Sequence, residues 1–199
     1  MFVRPHPLPA LAAGVLCAPA ALAAQAAPAR PVMFGVAAGL VTPVGALADF
    51  THAGYSVAAL AQSTAREGRG VALRGEVGYA SFTGDRRTVA ATAVSYPATR
   101  VISGALTLVL LPTDPDGRPR PRLYFLGGAG VYRFDYGAAA APEAAAVPGD
   151  QTRAGVNVGA GLRFPLGPAR LSLETRFHTG LGDATAARFF QPVALALAF

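Results

Sequence analysis

From Pro31 to Phe199 the chain is written in short stretches where large apolar residues alternate with small or polar ones, separated by clusters of Gly, Pro, Asp and Arg. Side chains of a strand change face at every residue, whereas a helix repeats every 3.6, and no stretch here keeps the helical period. The pattern predicts eight strands, over 32–41, 54–63, 71–82, 98–111, 122–136, 153–164, 170–180 and 190–199. Most have the roughly 9–11 residues that a tilted strand needs to cross a bilayer. The last of them, "FQPVALALAF", puts Val193, Leu195, Leu197 and Phe199 on one face and Ala194, Ala196 and Ala198 on the other.

The two faces sort by polarity. In the sixth strand Ala154, Val156, Val158, Ala160, Leu162 and Phe164 oppose Arg153, Gly155, Asn157, Gly159, Gly161 and Arg163. The seventh sets Leu171, Leu173, Thr175 and Phe177 against Arg170, Ser172, Glu174, Arg176 and His178. The third sets Val71, Leu73, Val77 and Tyr79 against Ala72, Arg74, Glu76 and Gly78. Alternation alone suits a lipocalin-like barrel in water, apolar face inward, as well as a barrel in lipid with that face outward.

Three features favour lipid. The charged face is also the glycine face (Gly78, Gly155, Gly159, Gly161), and the narrow interior of eight strands needs small residues beside large ones. The aromatics sort by height, with Tyr124, Phe164 and Phe199 toward one rim and Tyr55, Tyr79, Tyr132, Phe134, Tyr136 and Phe177 toward the other, which predicts two lipid-facing girdles. Finally, a lipid-facing cation at mid-membrane costs about 2–4 kcal/mol. The opposite assignment would put Arg74, Glu76, Glu174 and Arg176 into hydrocarbon.

Connections carry the same message. Those after the second, fourth and sixth strands are turn sequences ("TAREGRG", "PTDPDGRPRP", "PLGPA"), and the others are longer on average. Outer membrane barrels have short periplasmic turns, longer outside loops and an even number of strands. The expectation is an all-β, eight-stranded, antiparallel up-and-down transmembrane barrel over residues 32–199. Its outside loops span 43–53, 83–97, 137–152 and 181–189; they are where an extracellular ligand would bind. His52, in the first, has no evident partner in the sequence.

Residues 1–26 read as a cleaved signal peptide, with one cation (Arg4), an apolar stretch from Leu8 and small-residue cleavage triplets near Ala23 and Ala26. Cys17, the single cysteine, falls inside it, so the mature chain forms no disulfide. Cleavage leaves sixteen arginines against eleven acids, a net charge of +5 with no lysine. The arginines are scattered singly, which argues against nucleic acid as a partner. "LGGAGVY" and "NVGAGLRF" are glycine-rich but continue as strand and open no helix, so they cradle no nucleotide. "DPDG" lacks the later ligands of a calcium loop. No cofactor and no metal are expected.

Charges in a narrow interior must pair or hold water. Arg74, Glu76, Asn157, Arg163, Glu174, Arg176 and His178, with Gln62, are the candidate lumen network. Arg74 and Glu76 on one strand face Glu174 and Arg176 on another with equal numbers of opposite charges.

"FLGGAGVYRF", "NVGAGLRFPLGPARLSLETRFH" and the terminal "PVALALAF" resemble the small outer membrane β-barrel families, the OmpA transmembrane domain and OmpX type, and the broader outer membrane protein beta-barrel domain group. The resemblance covers residues 32–199. It implies residence in a Gram-negative outer membrane, with membrane lipid and the barrel-assembly machinery as partners. Val193, Leu195, Leu197 and Phe199 match the terminal signal which that machinery reads in those families. It also implies a plugged bore that is closed or conducts only occasionally.

The function expected is therefore a structural or surface-interaction role. One alternative is a narrow, porin-like channel for small solutes, for which eight strands leave little room. A second is a lipid A-modifying enzyme like the eight-stranded acyltransferase and deacylase barrels. That reading would use His178, Glu174 and Ser172. Residues four apart on a strand stand about 13 Å apart, too far for a hydrogen-bonded relay. The chain is not expected to be an enzyme.

Overall fold

The computed structural model describes residues 32–49, 51–63, 70–89, 92–112, 121–137, 149–181 and 188–199. Residues 1–26, read from the sequence as a signal peptide, the sequence-predicted turns at 64–69 and 113–120, and most of the outside loops expected at 137–152 and 181–189 lie outside the described residues.

The described residues form ten strands, in chain order β1 (Val32–Gly45), β2 (Thr51–Ser63), β3 (Val71–Gly84), β4 (Arg86–Val89), β5 (Thr92–Ser95), β6 (Thr99–Leu110), β7 (Arg122–Asp135), β8 (Gln151–Leu166), β9 (Ala169–Gly180) and β10 (Arg188–Ala198). Eight of them close into an antiparallel barrel, each paired with its sequence neighbour in the ring and β10 returning to β1. At that seam Phe199 exchanges two backbone hydrogen bonds with Phe34, at 2.9 and 3.0 Å. Closure leaves no open edge to solvate, a requirement in hydrocarbon.

Following the register once around, from Gly35 through Leu60, Glu76, Ala105, Gly130, Gly155, Gly180 and Arg188, returns to β1 at Gly45. A stagger of that size in eight strands tilts them by about 40° and puts the backbone about 8 Å from the axis. The bore is therefore only wide enough for side chains.

The exterior is apolar. Leu40, Val77, Leu106, Val158 and Leu195 are all more than half exposed. Water would make such a belt insoluble. Outward-facing charges, Arg100, Arg133 and Asp135, occur on β6 and β7 only at the loop end, and Arg100 lies directly across from Asp135.

Four differences from the sequence reading have physical causes. The segment 83–97 holds a hairpin, β4–β5, rather than a plain loop. The first outside loop is 46–50 rather than 43–53, because the alternation of β1 runs on through Pro43 to Gly45 and β2 starts at Thr51. A bulge between His52 and Gly54 lies at this rim, and His52 Nε2 does have a partner, Asp85 Oδ1 at 2.9 Å.

The fourth concerns the girdles. Tyr124, Tyr132, Phe134 and Tyr136 point into the barrel and are buried, not lipid-facing. β7 carries bulk on both faces, so polarity cannot orient it; its register with β6 and β8 does, turning Leu123, Phe125 and Val131 outward. The girdles that form use Phe34, Phe125, Phe164 and Phe199 at the turn end. At the loop end they use Tyr55 with Tyr79 (6.3 Å between ring centroids) and Phe177 stacked on Phe189 (5.2 Å).

Candidate functional site

The bore holds three layers. Nearest the loops is an apolar and aromatic layer in which Val41, Leu47, Phe82, Val101, Phe134 and Phe190 pack together. Leu47 comes from the turn after β1, and Thr51 Oγ1 donates to its carbonyl at 2.6 Å. Toward the turn end Ala72, Val109, Tyr124 and Leu126 form a second apolar group. Charges occupy the middle.

At the centre of that middle layer is the Glu174 carboxylate. Arg74 Nη1 donates to both of its oxygens, at 2.8 and 2.9 Å. Arg176 donates to Oε2 through Nη2 at 2.5 Å and Nε at 3.2 Å. The Tyr124 hydroxyl donates to Oε1. A carboxylate offers about four lone-pair sites, and here all are taken. Arg74 Nε donates to Gln62 Oε1 at 3.0 Å, and Arg176 Nη1 lies 2.9 Å from Glu76 Oε2 as an ion pair without aligned hydrogen-bond geometry. Arg74, Glu174 and Arg176 are 2%, 3% and 6% exposed.

The topology explains the residue types. β3 and β9 stand on opposite sides of the ring, four strands apart in either direction. Their side chains must meet across a bore whose backbone-to-backbone width is about 16 Å. Arginine and glutamate reaching toward each other cover that distance with a single hydrogen-bond length, 2.8–2.9 Å, between them. Within each strand the i, i+2 spacing keeps Arg74 with Glu76, and Glu174 with Arg176, on the inner face.

Glycines on β8 make room for the aromatic rings. A Cβ on Gly161 would run into the Tyr124 ring, and one on Gly155 into the Tyr132 ring. Arg163 lies over the Tyr124 face, its guanidinium carbon 5.0 Å from the ring centroid, a cation–π geometry. The layered interior thus depends on glycine, aromatic and arginine in adjacent strands.

Asn157 and His178 sit above the ion pairs. Thr107 Oγ1 donates to Asn157 Oδ1 at 3.3 Å. His178 Nδ1 and the Tyr132 hydroxyl are 3.1 Å apart, and the imidazole stacks on Phe190 at 4.8 Å. Arg74, Glu76, Glu174 and Arg176 are thus brought into one cluster with Tyr124, which the sequence reading had placed in the lipid. Arg163 joins it through Tyr124, while Asn157 and His178 belong to a neighbouring polar group. Ser172 is held away from His178 by the length of the strand.

A cavity of about 50 Å³ lies beside the ion pairs, walled by the small residues Ala37, Ser56, Ala58, Gly78 and Ala194 and reached by Glu76 and Arg176. It has room for water, which polar walls retain. A smaller one, about 10 Å³, lies toward the turn end between Arg74, Arg163, Arg170 and Ser172. Among the described residues no group of His, Cys, Asp and Glu could hold a metal.

A closed ring of eight tilted strands, apolar and aromatic-girdled outside and ionic within, defines the small integral β-barrel of the outer membrane. No family model and no curated protein matches the sequence. Among solved structures the chain is similar to Neisserial surface protein A, with a TM-score of 0.55 and 13% identity over 84% of this chain and 95% of that one. It is similar also to the outer membrane protein OprG of Pseudomonas aeruginosa (0.56, 10%, 85% and 97%). A third is the N-terminal barrel domain of OprF from the same organism (0.51, 13%, 85% and 98%). At such identities the likeness is one of fold.

Proposed function

We propose that this barrel is a closed, membrane-embedded scaffold, its bore plugged by the Arg74–Glu174–Arg176–Glu76 network and its contacts with other molecules made through the outside loops. One observation carries the reading: Glu174 takes donors from both walls of the bore, so the pairs cross the opening instead of lining it. Val193, Leu195, Leu197 and Phe199 face outward along the strand that closes the ring, where the barrel-assembly machinery can read them. The barrel is not an enzyme in this reading. His178 has an aromatic ring and a phenol beside it, and Ser172 is three side-chain positions below it on the same face.

The second reading, a narrow channel, draws on the cavities on either side of Glu174. Planar-bilayer recording separates the two. The purified barrel is expected to be silent in a lipid bilayer, with openings appearing in Glu174→Ala. Sustained conductance by the unmodified chain would contradict the closed scaffold and favour the channel.

A further inference from the structure

Among the described residues, polar side chains enter the outer face between the girdles at one place. On β2, β3, β6, β7 and β8 the outward positions there are Val, Leu, Ile, Ala or Gly. On β9 and β10 they include Thr175 and Gln191, and Gln191 Nε2 donates to Thr175 Oγ1 at 3.1 Å on the exposed surface. Thr42 of β1 is the register partner of Gln191 and continues the polar spot toward the rim. The next outward residues toward the loops are Phe177 on β9 and Phe189 on β10, whose rings stack on each other. The Gln191 amide is thus turned away from the loop-end rim, down the barrel wall and onto the hydrocarbon side of the ring pair.

A glutamine amide carries two N–H donors and a carbonyl acceptor. Thr175 takes one of the donors; the second N–H and Oε1 make no hydrogen bond among the described residues. Leaving such groups in hydrocarbon is costly, and polar side chains in the membrane are recurrent points of contact between spanning segments. One free donor and one free acceptor on the same group are the complement of another primary amide. The glycerol ester of a phospholipid offers acceptors alone, which leaves Oε1 without a donor. In a closed dimer, two copies inserted in the same direction are related by a two-fold axis normal to the membrane, so a residue at the axis meets its own equivalent at the same depth. A charge there repels its copy, whereas an amide pairs with it through two N–H···O bonds. Leu40, Leu173, Val193 and Leu195 around it are exposed and apolar, as a contact between barrels in lipid requires.

We propose that the β9–β10–β1 face is a dimer interface between two copies of this chain, centred on a pair of Gln191 amides, with each Thr175 holding its own amide in position. The proposal goes beyond the closed-scaffold reading and does not depend on the state of the bore. It rests on the apolar belt facing hydrocarbon.

The test places spin labels in residues 31–199, which contain no cysteine, reconstituted in phosphatidylcholine vesicles. A label at Val193→Cys, beside Gln191, is expected to give a short dipolar distance to its copy. A label at Leu106→Cys, on β6 at the opposite side of the ring, is expected to give one longer by two barrel widths, roughly 30 Å. Gln191→Leu in the Val193-labelled chain keeps the belt apolar and is expected to weaken association about tenfold across a series of lipid-to-protein ratios, the size of a hydrogen-bonded contact between membrane segments. No short distance at the highest protein density, a closer approach at Leu106 than at Val193, or a dimer indifferent to Gln191→Leu overturns the proposal. A chain that stays monomeric while its Gln191 amide resonances differ between ester-linked and ether-linked phosphatidylcholine holds a lipid linkage at the site, which also overturns the dimer. Gel mobility before and after heating reports folding in every sample. A folded barrel that is silent in planar bilayers and shows no short distance sinks the interface and leaves the closed scaffold standing.

Discussion

Glu174→Gln is expected to lower the unfolding free energy of the barrel by about 3–5 kcal/mol, the usual cost of removing one partner from a buried ion pair. The reason is specific to this carboxylate. Arg74 and Arg176 are both turned to it from opposite walls, and Tyr124 donates to it as well. Glu76 remains close to Arg176, so the charge left without a partner is chiefly that of Arg74. Arg74→Met in the same chain removes that stranded charge. The double variant is then expected to be less destabilised than the sum of the two single variants. Urea unfolding in lipid vesicles, read by gel mobility, measures all three. Effects that add within about 0.5 kcal/mol would mean that the two residues are energetically independent.

The second large effect concerns the other face. Val158 lies on β8 between the two aromatic girdles and is 61% exposed on the outside of the ring. Val158→Arg puts a cation at mid-membrane, where the expected cost is about 2–4 kcal/mol. The same change at Val32, beside the turn-end girdle, is expected to cost about 0–1 kcal/mol because the arginine reaches headgroup and water there. The contrast between the two positions carries the inference, since both are exposed valines on outward faces. Equal costs, or no cost at either, would show that water and not hydrocarbon surrounds the belt.

The alternation in β3, β8, β9 and β10 was legible because each of these strands keeps its polar or small residues on one face and its apolar residues on the other. That pattern carried the strand count of the ring, the sorting of Arg74, Glu76, Glu174 and Arg176 to one side, and the outward turn of Val193, Leu195 and Leu197. β7 was not legible in the same way. Tyr124, Tyr132 and Phe134 are as apolar as Leu123, Phe125 and Val131, and only pairing with β8 shows that its glycines make space for the tyrosine rings. The central pairing was legible as a balance of charges and not as a geometry. Arg74 and Glu174 are a hundred residues apart, and their meeting depends on the stagger that sets β3 opposite β9. The hairpin β4–β5 escaped because its four-residue strands are too short to display a period.

The most direct measurement of which side meets lipid is a cysteine scan along β8, one substitution at a time from Thr152 to Phe164, in residues 31–199, which contain no cysteine. Spin labels are read in vesicles for contact with oxygen, which concentrates in hydrocarbon, and with a water-soluble nickel chelate. A two-residue rhythm is expected, with labels at Ala154, Val156, Val158, Ala160 and Leu162 reached by oxygen and closed to nickel, and those between them shielded from both. Nickel access at Val156 and Val158 equal to that of a free label in water would show that the apolar belt faces water, and the barrel could then not be one that lives in a membrane.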